Sequence, residues 1–204
     1  MKPLMLFCTG LSGSGKSYFA ENILPKGAFY KLKSATTRAM RDGEVDGREY
    51  YFRDEQYFES EKFATHLFVN EAFWTPGTPK WLYGVPEFEI YEHMGQNLVY
   101  DVIQPRYVRE MIEWFKKNKI ASKYNFKILR FLPPANNFEV AKQRQNMPND
   151  INVRKTNTCD VSDFIQAGFV PYEKSVHEVN TYTVLQDTNL MRLINQAAKL
   201  SKQK

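Results

Sequence analysis

Apolar residues occur along this chain in two spacings, and each spacing predicts a different element. Residues 4–8, Leu-Met-Leu-Phe-Cys, form an unbroken apolar run and predict a buried strand. Residues 18–24 predict the start of a helix, which Pro25, Lys26 and Gly27 end. A short strand follows at residues 29–32. Asp54 is a suitable N-cap for a helix that turns Phe58, Phe63 and Leu67 inward, with His66 near its end. Residues 67–74 predict a strand, and residues 88–94 a short helix stopped by Gly95. Residues 96–103 read as a buried, parallel-type strand. From 106 to 117, Val108, Met111, Ile112 and Phe115 share one face of an amphipathic helix, closed by Asn118 and Lys119. Residues 127–132 predict a strand ended by Pro133 and Pro134. Helices are predicted at 137–145 and 160–168, and an edge strand at 179–185. A final helix at 188–202 has Leu190, Leu193, Ile194 and Ala197 inward. Strands alternating with helices predict an α/β fold of three layers with a mostly parallel sheet.

Between the first strand and the first helix lies Gly10-Leu11-Ser12-Gly13-Ser14-Gly15-Lys16-Ser17. Strand, glycine-rich loop, Lys-Ser, helix is the full context of a phosphate-binding loop. Glycines let the backbone curl so that its N–H groups face phosphate oxygens, and the helix start adds positive dipole. Lys16 would reach the terminal phosphates, and Ser17 would place its hydroxyl on Mg²⁺. ATP is the expected donor.

Composition narrows the class. The 204 residues are 43% hydrophobic and 25% charged, as in an ordinary globular protein, and suffice for one substantial core with insertions. No run approaches the roughly 20 apolar residues of a membrane span, and the N-terminal run is too short for a signal peptide. Cys8 and Cys159 make neither a disulfide framework nor a metal site, and His93 and His177 add no ligand spacing. A cytoplasmic location is expected. The net charge of +5 suits an anionic small molecule such as a nucleotide, whereas a nucleic-acid binder shows a denser basic stripe. No nucleic acid or membrane partner is expected, and the chain is expected to be a monomer or homodimer.

Residues 34–52 contain Arg38 and Arg41, two Asp-Gly turns and a Tyr-Tyr pair. By itself this reads as a polar hairpin, or as a cradle in which two guanidinium forks and a tyrosine hydroxyl hold one phosphate. Thr36-Thr37-Arg38, Arg41, Gly43-Glu44-Val45-Asp46-Gly47, Tyr50 and Phe52 resemble the acceptor signature of the guanylate kinase family. The resemblance implies that Arg38, Arg41 and Tyr50 hold the acceptor phosphate and that Ser34 lies near the acceptor. It extends to Tyr83 in Tyr83-Gly84-Val85, another acceptor ligand, and to Arg144 and Arg154, which would close over the donor phosphates.

Two positions depart from the family pattern. Asn70 stands where a glutamate grips the guanine edge. If Asp101 matches the first of the family's two strand-end aspartates, Ile103 replaces the second; a register anchored on Gln104 matches Asp101 to neither. In the first register Asp101 orients the Mg²⁺ shell. The resemblance implies a single domain with a core (1–33, 96–135, 157–204), an acceptor-binding insertion (34–95) and a short lid (136–156). The implied activity is ATP-dependent phosphorylation of a nucleoside monophosphate, GMP or dGMP being simplest. A modified or non-guanine nucleotide, a sugar phosphate, and a non-catalytic binding module are the alternatives.

Overall fold

The computed structural model describes residues 2–10, 14–65, 68–69, 81–102, 104–132, 161–169, 176–179 and 188–201. Its centre is a five-stranded sheet made of β1 (Leu4–Gly10), β2 (Phe29–Lys31), β7 (Asn97–Val102), β8 (Asn125–Phe131) and β9 (Val176–Val179). The spatial order is β2-β7-β1-β8-β9 and every pairing is parallel. Strand β1 is buried along its whole length because both neighbours and both faces are covered.

Alternation in β1 sorts the core into two layers. Met5 and Phe7 face a cluster with Val108, Met111 and Phe115 of α4 (Pro105–Lys117) and Phe164 of α5 (Val161–Gln166). Leu4, Leu6 and Cys8 face the other cluster, with Phe19 and with Leu190, Ile194 and Ala197 of α6 (Thr188–Ser201). Helices on both faces of a parallel sheet are the three layers expected. Burial pushes the Cys8 thiol up, helped by Asp101 and opposed by Lys16 and Lys31, so it is an inert core residue. Among the described residues no helix is long and apolar enough to cross a membrane.

A second sheet runs β4-β3-β6-β5, from β3 (Ala35–Thr36), β4 (Tyr51–Phe52), β5 (Phe68–Val69) and β6 (Leu82–Gly84). β3 and β4 pair in parallel, so residues 34–52 are not a hairpin. The connection instead loops out and returns, and only β6 is antiparallel to β3. Helix α2 (Glu55–Ser60) starts as expected: Asp54 accepts from the Tyr57 N–H at 2.9 Å. It stops at Ser60, earlier than the apolar spacing suggests. Lys62 and Ala64 instead exchange backbone hydrogen bonds with Glu87 and Val85, while Phe63 stacks on Phe58. Leu67 and His66 lie outside the described residues. Asp54→Ala should cost about 1 kcal/mol, read as a lower urea midpoint; an unchanged midpoint would mean the cap contributes nothing.

α3 (Glu87–Glu92) and α4 follow the expected pattern. β9 (Val176–Val179) is an edge strand paired with Ile128–Phe131 of β8, and it meets the stretch expected at 179–185 only at Val179. Residues 180–187 and the helix expected at 137–145 lie outside the described residues.

Candidate active site

Chain reversal across the sheet places the site. β1 leads first to β2 and later to β7, which returns to lie directly beside β1, so the carboxyl ends of β1 and β7 flank a switch point. Open parallel sheets bind ligands in that crevice. The loop 10–17 leaves β1 there, and Asp101, register partner of Cys8, ends β7 there.

Gly10 has φ +141°, and a Cβ on it would meet the Phe131 carbonyl at 2.6 Å. Gly15 has φ +96° and turns the chain into α1 (Lys16–Tyr18). Both positions need a residue without a side chain. α1 continues into a π-helical turn (Phe19–Ile23), closed by Leu24 N–H to the Phe19 carbonyl at 3.0 Å. Lys16 is buried and donates from Nζ to the Gly10 carbonyl at 2.7 Å, folding its side chain back along the loop. The Ser17 hydroxyl donates to Asp101 Oδ2 at 2.8 Å. Burial would raise the Asp101 pKa. The charge of Lys31, the Ser17 hydrogen bond and the charge of Lys16 outweigh it, and the carboxyl is held below its ordinary value. An ionised carboxylate beside a hydroxyl is a hard oxygen donor pair, which fits Mg²⁺.

The acceptor candidates gather on the second sheet. Register sets Thr36 opposite Tyr83 and next to Phe52. Arg38 is buried, with its guanidinium 5.4 Å from the Tyr50 ring centre and 5.5 Å from that of Phe52. Glu44 accepts two bonds from Arg38 Nη2, at 2.8 and 2.9 Å, and Ala39 O accepts from Nη1 at 2.7 Å. Glu44 also accepts from the Arg41 N–H at 2.8 Å, so one carboxylate ties both arginine positions. Its desolvation is outweighed by the Arg38 and Arg41 hydrogen bonds, which lower its pKa. The Tyr50 and Tyr83 rings meet edge to face at 6.0 Å. Burial raises the Tyr83 hydroxyl, against the charge of Arg38 and hydrogen bonds from Thr36 and Arg38; the charge of Arg41 also reaches it. Burial raises the Tyr100 hydroxyl, and Ser34 counters part of that rise.

The two groups sense one another at Tyr50. Its hydroxyl is pushed up to about 12 by burial, then by Asp101 and Tyr83, while Arg38 and Lys31 pull the other way. Asp101 and Lys31 belong to the loop side, and Arg38 and Tyr83 to the second sheet. The structure thus brings together Gly10, Ser14, Gly15, Lys16, Ser17 and Asp101 on one side, and Ser34, Arg38, Arg41, Tyr50 and Tyr83 on the other. Leu11, Ser12, Gly13, Asn70, Ile103, Arg144 and Arg154 lie outside the described residues.

Two residues escaped sequence reasoning. Glu89 of α3 is fully buried and accepts from the Lys33 N–H at 3.0 Å, the Tyr30 hydroxyl at 3.1 Å and the Tyr51 hydroxyl. It fixes the backbone beside Ser34 and Tyr50 and belongs to the site's frame. Lys31 ends β2 with its Nζ 3.4 Å from Asp101 Oδ2. Nothing in its own stretch marks Lys31 out; the signal is the β2–β7 register, which sets it beside Asp101.

A parallel sheet with a glycine-rich loop at its switch point, Lys16 and Ser17 behind it and Asp101 alongside, defines a phosphate-loop α/β protein. The resemblance to guanylate kinases is borne out by relatives of that name. The guanylate kinase of Carboxydothermus hydrogenoformans is 33% identical over 107 residues, covering 50% of this chain and 48% of the relative. That of Clostridium tetani is 30% identical over 103 residues, covering 50% and 47%. That of Novosphingobium aromaticivorans is 28% identical over 137 residues, covering 65% and 55%. The chain spans about half the length of the curated relatives it matches. No family model matches. The solved guanylate kinase of Anaplasma phagocytophilum superposes over 98% of this chain and 85% of its own, at 16% identity and a TM-score of 0.48.

Proposed function

We propose that this chain transfers the γ-phosphoryl group of ATP to a nucleoside monophosphate, most simply GMP or dGMP, giving the diphosphate and ADP. The observation that carries this reading is the pair of built cradles: the Ser17 hydroxyl on Asp101 beside Lys16 at the sheet's switch point, and Arg38 and Arg41 tied by Glu44 beside the Tyr50 and Tyr83 rings. Two anion-binding groups in one fold suit a reaction that joins two phosphates.

In this reading the loop 10–17 and Lys16 hold the donor phosphates. Ser17 and Asp101 hold Mg²⁺, which when bound neutralises charge on the phosphates. Ser34, Arg38, Arg41, Tyr50 and Tyr83 hold the acceptor. An oxygen of the acceptor phosphate attacks the γ-phosphorus, the bond to the β–γ bridging oxygen breaks, and ADP leaves with that electron pair. The nucleophile is already ionised, so the protein supplies position and positive charge rather than a base. Arg144 and Arg154 are assigned to closure over the donor, within a lid at 136–156. The acceptor-binding insertion is assigned to 34–95 and the core to 1–33, 96–135 and 157–204.

The test is turnover of a panel of monophosphates with Mg·ATP. GMP and dGMP are expected to be the fastest acceptors. Asn70→Glu is expected to raise the GMP-over-AMP ratio about tenfold, because a carboxylate accepts from both guanine N–H donors whereas an amide presents one acceptor. Folded protein that turns over no monophosphate would sink the reading.

A further inference from the structure

Lys31 stands where the strand pattern calls for an apolar residue. Along β2, Phe29 packs on the α1-side core and Tyr30 on the opposite one, so Lys31 returns to the α1 side. Its register partner in β7, Val99, belongs to the α1-side core. Asp101 follows two residues later on the same face. The ammonium therefore lies 3.4 Å from Asp101 Oδ2, the oxygen that also accepts from Ser17. It lies 2.9 Å from Glu21 Oε1, which the π-helical turn carries to the same place.

These contacts settle a charge balance. The formal charges of Lys16, Lys31, Glu21 and Asp101 sum to zero. Without Lys31 they would sum to one negative charge, which repels a polyphosphate and favours a free dication. Lys31 is one-third exposed at its side chain, so it is open to a ligand, and Glu21 is more exposed still. Glu21 keeps Lys31 in place whenever Asp101 is engaged elsewhere.

We propose that Lys31 is a built-in cation of the donor site, which lets nucleotide phosphates bind without metal and weakens the hold of Asp101 on metal. The proposal rests on the nucleotide-binding reading above and deepens it. It makes the coupling between metal and nucleotide weaker than Lys16, Ser17 and Asp101 alone would give. Lys31 and Glu21 set that coupling in opposite directions. Lys31 strengthens metal-free binding, and Glu21 restrains it by sharing the ammonium.

The test is calorimetric titration of ADP into the full chain, once with EDTA and once with saturating Mg²⁺. The quantity read is Kd without metal divided by Kd with metal. Lys31→Met should raise this ratio about tenfold over wild type, through loss of one charge-assisted contact. Lys31→Arg should keep the ratio near wild type. Glu21→Gln, a change at an exposed side chain that leaves the fold intact, should lower it. Ratios for Lys31→Met and Glu21→Gln both within about twofold of wild type would overturn the proposal. If Lys31→Met does not fold, the Glu21→Gln ratio decides alone. Wild type that binds no ADP in either buffer would instead bring down the nucleotide reading, and this proposal with it.

Discussion

Arg38→Met is expected to lower kcat/KM for the acceptor by about 10³-fold while leaving ADP binding nearly unchanged. Arg38 lies against the Tyr50 and Phe52 rings with three of its donor bonds already fixed to Glu44 and Ala39. That frame orients the guanidinium before any ligand arrives, so little ordering cost remains for the acceptor phosphate. Arg38→Lys keeps the charge and loses the planar fork, and should fall between wild type and Arg38→Met. Stability responds separately. The Arg38 side chain is 5% exposed and that of Glu44 16%, so removing the arginine strands a largely buried carboxylate, at a cost of about 3 kcal/mol. Adding Glu44→Gln to Arg38→Met should recover most of that stability and none of the activity. Initial rates and urea melts on the three variants measure both. An Arg38→Met enzyme within about tenfold of wild type on the acceptor would remove Arg38 from the phosphate cradle.

The parts of this fold that were legible are those whose information is local. The run Leu4 to Cys8 followed by Gly10 to Ser17 predicts strand, loop and helix without reference to anything distant. The α4 stripe of Val108, Met111, Ile112 and Phe115 is also a local period, and all four are buried. The parts that failed are set by distant partners. β3 and β4 are two residues each, too short to carry a pattern, and their parallel pairing depends on where the intervening loop returns. α2 ends at Ser60 because Val85 and Glu87, over twenty residues away, compete for the backbone at Lys62 and Ala64.

The same division runs through the site. Arg38 and Arg41 stand out through spacing, because two forks three residues apart within a turn-rich segment make sense for one phosphate. Glu89 and Lys31 do not, since each looks ordinary in its own stretch. Glu89 is one of several acids in a short helix, and only the fold shows it buried against Tyr30, Lys33 and Tyr51. Lys31 becomes informative only once β2 is paired with β7 in a register that points it at Asp101.

Lys16→Met should lose activity as Arg38→Met does, but without the loss of stability. Activity is expected to fall by about 10³-fold, because the developing charge on the transferred group loses a fixed cation. Stability is expected to hold. The side chain is 8% exposed, and methionine preserves its unbranched stem and packing. The Gly10 carbonyl loses a donor 2.7 Å away, a cost of about 1 kcal/mol. Against this, a buried ammonium no longer has to be kept out of water, and that relief is of similar size. The contrast with Arg38 is instructive, since Glu44 is bonded directly to the lost arginine whereas the bond from Lys16 Nζ ends on a neutral carbonyl. Melting temperature and phosphoryl transfer, measured on the same preparation, give the comparison. A variant that retains transfer within about tenfold of wild type would show that the loop does not hold the donor phosphates through this lysine.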